Sequence, residues 1–202
     1  MRNRILIVLF LLISVSSFSQ NIDIRLLRSA YSSNELRADN FMKFVSDSNN
    51  GMVLGIPITV GIAGLIKHDE KLMNCAGQLV VASAINLGAT LALKYSINRE
   101  RPFLTYSDIK NKSYEGSPSF PSGHTSSAFA TATSLSLNFP KWYVIVPSYL
   151  WAGTVGYSRM YLGVHYPGDV LGGIITGTGC AFLTFKLNKW LEKTYFKNHG
   201  KQ

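Results

Sequence analysis

The run LMNCAGQLVVASAINLGATLAL, Leu72–Leu93, carries no charged residue and ends directly at Lys94. It is close to the ~20 residues that a membrane-spanning helix needs. On its N-terminal side the charged island Lys67-His68-Asp69-Glu70-Lys71 separates it from a second uncharged segment, Ser48–Ile66. Three more such segments follow a polar middle region: Thr125–Pro140, Trp142–Tyr157 and Val170–Phe185. Five apolar segments near spanning length point to an integral membrane protein. Several segments are short and rich in Ser, Thr, Asn and Gly, and the mean hydropathy is only +0.12. A soluble protein with buried helices fits those two features as well.

Residues 1–19 begin with Arg2 and Arg4, continue as an apolar run from Ile5 to Val15 and end in Ser17-Phe18-Ser19. This is the plan of a secretory signal peptide, the alternative being an uncleaved N-terminal anchor. Residues 20–50 read as an amphipathic helical segment, with Ile24, Leu27 and Tyr31 at helical spacing and Arg25, Arg28 and Arg37 between them. Such a segment suits the membrane interface or the cap of a core. Residues 51–190 form the main domain and 191–202 a basic C-terminal tail. Five crossings after a translocated N-terminus place Lys67–Lys71, Lys141 and the tail lysines inside, where positive charge is favoured. The same arrangement puts Lys94–His124 and Ser158–Asp169 together outside.

The 202 residues have a net charge of +9. No basic helix face interleaved with aromatics is visible, which argues against nucleic acid as a partner and for anionic phosphate or lipid head groups. Cys75 and Cys180 each stand alone inside apolar runs and read as packing thiols.

The chemistry is concentrated in three clusters. In Lys94-Tyr95-Ser96-Ile97-Asn98-Arg99-Glu100-Arg101-Pro102, Lys94 and Arg101 stand seven apart, two helical turns on one face. Two cations aimed one way suit an anion, and snorkelling at a helix end is the plainer reading. In Ser119-Phe120-Pro121-Ser122-Gly123-His124-Thr125 a turn enters a helix, which offers free N–H groups and the positive end of the dipole to a phosphate. Gly123 admits close approach and His124 is placed to donate a proton, although Ser122 as a simple N-cap accounts for the same residues. In Ser158–Asp169, Arg159 brings a planar fork of donors, and Asp169 four residues after His165 can hold one ring nitrogen and free the other. A turn whose His and Asp satisfy one another is the bland alternative.

Taken in order, the clusters match Lys-x6-Arg-Pro, Pro-Ser-Gly-His and Ser-Arg-x5-His-x3-Asp with no position missing. This pattern resembles the type 2 phosphatidic acid phosphatase (PAP2) family, related to vanadium haloperoxidases and bacterial class A acid phosphatases. The resemblance implies an all-α fold, a bundle of about five to six apolar helices embedded in a membrane with the active site at one end, and a metal-independent phosphatase needing no cofactor. It implies His165 as nucleophile, Asp169 as its orienting carboxylate and His124 as acid and then base. Lys94, Arg101, Arg159, Ser122 and Gly123 would hold the phosphate. The expected substrate is a lipid phosphate or diphosphate, such as undecaprenyl diphosphate, phosphatidylglycerophosphate, phosphatidic acid or a lipid A phosphate, met at the outer, periplasmic face of a bacterial cell membrane. The competing readings are a soluble periplasmic acid phosphatase acting on small phosphomonoesters, a vanadate-dependent haloperoxidase, and a non-catalytic membrane protein with a residual anion site.

Overall fold

The structure, a computed structural model, describes residues 21–31 and 36–199. The signal or anchor assigned to residues 1–19 lies outside them. Every regular element among the described residues is helical: α1 (21–30), α2 (Leu36–Lys67), α3 (Glu70–Ile97), α4 (Pro102–Thr105), α5 (Gly123–Asn138), α6 (Trp142–Tyr161) and α7 (Pro167–His199). The all-α bundle expected from the sequence is the fold observed.

The chain turns where its punctuation says it should. Asp69 caps α3, its side chain accepting from the backbone N–H groups of Lys71 at 2.9 Å and Leu72 at 3.2 Å. Asn98 ends α3 in the left-handed region, φ 48°, and returns its N–H to the Lys94 carbonyl. Asparagine is one of the few residues that tolerates this conformation. Pro102 then opens the short α4.

Among the described residues, three helical stretches are long and apolar enough to cross a membrane: Arg37–Lys67, Glu70–Thr105 and Pro167–Thr194. The five uncharged segments are therefore not equivalent. α5 has 16 residues, about 24 Å at the helical rise, and sits at the centre, packed on α7, α6 and α3. Its Ser and Thr side chains explain how a polar segment stays buried. Thr131 donates to the Ser127 carbonyl at 3.0 Å and Ser136 to that of Ala132 at 2.7 Å, while Ser127 and Thr133 meet Asn49 and Tyr149 of neighbouring helices. Small residues let α7 close on α5: a Cβ at Gly173 would stand 2.7 Å from the Ser122 carbonyl, and one at Gly177 would overlap that of Ser126.

The outward faces are apolar. Leu54, Ile58, Ile62, Leu87, Leu91, Leu150, Leu171, Ile175 and Leu183 are all exposed. A water-soluble bundle does not present such a belt, so the low mean hydropathy reflects a polar interior and not a polar surface. The chain is a membrane protein.

Alternation of the helices sorts the charges. α3 and α6 end, and α5 and α7 begin, at one end of the bundle; the Lys67–Lys71 turn, Lys141 and the C-terminal half of α7 gather at the other. The polar segment 106–122 covers the first end, and α1 docks there through Ile24 and Leu27 against Ile109 and Tyr166. The boundaries expected at 50 and 190 fall inside α2 and α7, and residues 191–199 continue the helix.

Candidate active site at one end of the bundle

Four helix ends deliver the three clusters to one place. Lys94 lies in the last turn of α3 and Arg101 just beyond its cap; Ser122 caps α5, with Gly123 and His124 in its first turn. Arg159 occupies the last turn of α6, and Asp169 the first turn of α7. Between them Gly163 turns the chain at φ +73°, where a Cβ would stand 2.9 Å from the Lys110 carbonyl, so only glycine fits.

His165 is at the focus and is 1% exposed. Its Nδ1 faces Asp169 Oδ2 at 3.5 Å, and its Nε2 lies 3.4 Å from Arg101 Nη1. Asp169 is itself fixed: Oδ2 accepts from Ser119 Oγ at 2.5 Å and from the Tyr166 N–H at 2.9 Å, and Oδ1 accepts from Arg99 Nη1 at 2.7 Å. The Ser122 N–H donates to the Asp169 carbonyl at 3.0 Å, locking the start of α5 to the start of α7.

The cations converge on the free side of the ring. Arg101 donates from Nε to the Ser117 carbonyl at 2.7 Å and from Nη1 to that of Val164 at 3.0 Å. Lys94 Nζ donates to the Pro118 carbonyl at 2.5 Å. Arg159 is wholly buried; its terminal nitrogens pair with Ser46 Oγ and Glu115, and its Nε has no hydrogen-bond partner. Such an orphaned donor inside a cationic cluster is a place for an acceptor oxygen. Glu115 bridges the two arginines, meeting Arg101 Nη2 at 3.0 Å. Burial alone would raise its pKa, but Arg159 and Arg101 outweigh burial and hold it below the usual carboxylate range.

Both histidines are neutral near pH 7. Burial pushes His165 down to about 3, with Arg101 and Arg159 adding to that effect and Asp169 opposing it. Burial likewise lowers His124 to about 4, helped by Arg159 and opposed by Glu115. A neutral imidazole has the lone pair a nucleophile requires.

Beside His124 a cavity of about 690 Å3 opens between α2, α3 and α5. Lys94, Ser117, Gly123 and His124 line its site end; Leu54, Ile58, Val80, Leu87 and Leu91, all exposed on the outer face of the bundle, line the remainder.

All eight residues singled out in the sequence, Lys94, Arg101, Ser122, Gly123, His124, Arg159, His165 and Asp169, lie at this one end. Ser122 differs in detail from the simple cap: its side chain makes no capping bond and its Oγ accepts from Thr125 Oγ1 at 2.9 Å. Sequence reasoning missed Glu115, Ser119 and Arg99. Ser119 and Arg99 stand beside recognised motifs, whereas Glu115 sits in a polar segment without periodicity and has no local signal.

Comparison with known proteins identifies the family. The PAP2 superfamily model matches residues 76–193. An undecaprenyl-diphosphatase of Sulfolobus acidocaldarius is 30% identical over 194 residues, covering 91% of this chain and 89% of that protein. A lipid A 4'-phosphatase of Bacteroides thetaiotaomicron is 40% identical over 80 residues, so the match spans 40% of this chain and only 36% of the relative. The crystal structure of a transmembrane PAP2-type phosphatidylglycerolphosphate phosphatase from Bacillus subtilis superimposes with a TM-score of 0.71 at 25% identity, covering 90% of this chain and 93% of that one. A family match over most of the bundle, a relative aligned along nearly its whole length, and the motif residues gathered at one end lead to one conclusion: the chain belongs to the PAP2 superfamily.

Proposed function

We propose that this protein is a lipid phosphatase that works through a phosphohistidine at the outer face of the membrane. The observation that carries the reading is the joining of two environments. A buried cluster of Lys94, Arg101 and Arg159, in which Arg159 Nε is unpaired, adjoins through Lys94 and His124 an apolar cavity of about 690 Å3, which suits a substrate with a phosphate at one end and a hydrocarbon chain at the other.

In the first step His165 Nε2 attacks phosphorus, an N–P bond forms and the P–O bond to the lipid breaks. His124 gives its proton to the leaving oxygen. In the second step His124 takes a proton from water, the water oxygen attacks phosphorus, and the N–P bond breaks to release inorganic phosphate. Asp169 holds Nδ1–H and stabilises the cationic ring between the two steps. Lys94, Arg101, Arg159 and the first N–H groups of α5 balance charge on the equatorial oxygens, which is most of what phosphoryl transfer asks of a protein. Since burial, with its cationic neighbours adding to it, lowers His124 to about 4, its acid role needs the bound phosphate. A dianion beside the ring raises its pKa and loads the proton. Glu115 must yield its place between the arginines as the phosphate enters.

The outer-face placement is supported by the lysines of the opposite end, Lys67, Lys71, Lys141, Lys186, Lys189 and Lys193, since positive charge favours the inner side. Tyr114, 98% exposed in the segment over the site, offers a test. With both native cysteines buried, Tyr114→Cys is expected to react with a membrane-impermeant maleimide from the extracytoplasmic side only. Labelling only after the inner side is opened would reverse the orientation.

The substrate class is tested by phosphate release in EDTA from undecaprenyl diphosphate, a lipid A phosphate, phosphatidylglycerophosphate and phosphatidic acid, set against a short-chain soluble phosphomonoester. At least one lipid is expected to exceed the soluble ester in kcat/KM by about tenfold or more, because the apolar cavity adds binding energy that the short ester cannot use. Equal values would favour a general acid phosphatase, and loss of activity in EDTA would remove the metal-independent mechanism.

A further inference from the structure

We infer that Asp23 of α1 is a positioning residue for the His165–Asp169 pair, acting through Arg99, so that the N-terminal helix completes the active site. This rests on the phosphohistidine reading above.

The geometry is a continuous chain of charges. Asp169 turns Oδ2 toward His165 and Oδ1 toward Arg99 Nη1, 2.7 Å away. The other end of the same guanidinium, Nη2, donates to Asp23 Oδ2 at 2.8 Å. Asp23 Oδ1 accepts from the Gly168 N–H at 2.8 Å, which ties α1 to the residue beside Asp169. A Cβ at Gly168 would lie 2.7 Å from Asp23 Oδ2, so a residue without a side chain is what lets this carboxylate come so near. Asp23 is only 7% exposed on a helix whose other polar residues face outward. The Arg99 guanidinium also lies 3.9 Å over the Tyr166 ring, which fixes its plane.

The physical consequence follows from charge. Arg99 alone would draw the negative charge of Asp169 away from His165 and weaken the support for a cationic phosphohistidine. Asp23 neutralises Arg99, so Asp169 keeps its hold on the ring while Arg99 keeps Asp169 in place. Outer carboxylate partners of metal-bound histidines cost about 10–100-fold when removed, and the same order is expected for a carboxylate that acts on His165 through Arg99 and Asp169.

The test uses the full-length protein in detergent with whichever lipid phosphate it hydrolyses. Asp23→Asn keeps the shape and removes the charge. It is expected to lower kcat about 10–100-fold with KM changed less than about twofold. In Asp23→Asn/Arg99→Gln the uncompensated cation is also gone, and kcat is expected to recover part of that loss. Arg28→Ala, which removes the separate and exposed Arg28–Asp108 anchor of α1, is expected to stay within about twofold of wild type. A wild-type kcat for Asp23→Asn, a rise in KM alone, a double variant no faster than the single one, or an equal loss in Arg28→Ala would each overturn the inference. The last would mean that docking of α1, and not the Asp23 charge, matters. His165→Ala in the same assay separates this from the parent reading. If it stays active the phosphohistidine mechanism fails; if it is inactive while Asp23→Asn is normal, only the role of Asp23 fails.

Discussion

Replacing His165 by alanine is expected to lower phosphate release from the lipid substrate by on the order of 10^4-fold or more, the scale seen when a nucleophile of a catalytic unit is removed. The bundle should survive. Asp169 loses one partner but keeps Ser119, the Tyr166 N–H and Arg99 at 2.5, 2.9 and 2.7 Å, so no buried carboxylate is left unpaired. Initial rates, together with the helical circular dichroism and melting temperature of the purified variant, check both halves of the statement. A folded His165→Ala protein with wild-type turnover would remove the nucleophile from the proposal. The pH dependence has a definite sign as well. The His165 pKa is lowered to about 3, so the ring stays unprotonated and nucleophilic above that value, and acid inactivation between pH 5 and 7 should not arise from its titration in the free enzyme.

His124→Ala is expected to show a different signature. Loss of the proton donor should cost about 10^2–10^4-fold with a lipid alkoxide, which is a poor leaving group. With an aryl phosphate, whose leaving oxygen needs no proton, the first step should be largely spared. The second step still lacks its base, so labelled phosphoenzyme should accumulate and be recovered after an alkaline quench. Equal losses for both ester types with no trapped intermediate would place His124 outside the proton transfers. In wild type, the alkaline limb of kcat should lie well above the free-enzyme value of about 4, because the bound phosphate favours the imidazolium form that the acid role requires.

The fold was legible wherever a local rule governs the chain. Uncharged runs at helical length mark α2, α3, α5, α6 and α7, and Asp69, Asn98 and Pro102 stand at helix ends. The standing of α5 was not legible, because hydropathy records composition and not neighbours. Its Ser and Thr residues weaken the signal of a buried helix, yet Thr131 and Ser136 satisfy their hydroxyls on its own backbone, and Ser127 also bonds the Gly123 carbonyl. Asp23 was equally hidden. On an amphipathic helix bearing Arg25 and Arg28 it is one polar residue among several, and only the docked position of α1 takes it out of water.

By itself the sequence determined which side chains are the candidates for holding and attacking a phosphate, because Lys94, Arg101, Ser122, Gly123, His124, Arg159, His165 and Asp169 stand in patterns set by local geometry: a helical face, a helix mouth, a tight turn. Tertiary structure alone decided what surrounds them. Glu115 between Arg101 and Arg159, Ser119 and Arg99 on Asp169, Asp23 behind Arg99, and the apolar cavity beside His124 all join residues from separate elements. The reason is physical: the spacing within one helix follows from its pitch, whereas contacts between helices depend on how whole apolar faces pack, and that information is spread over the entire chain.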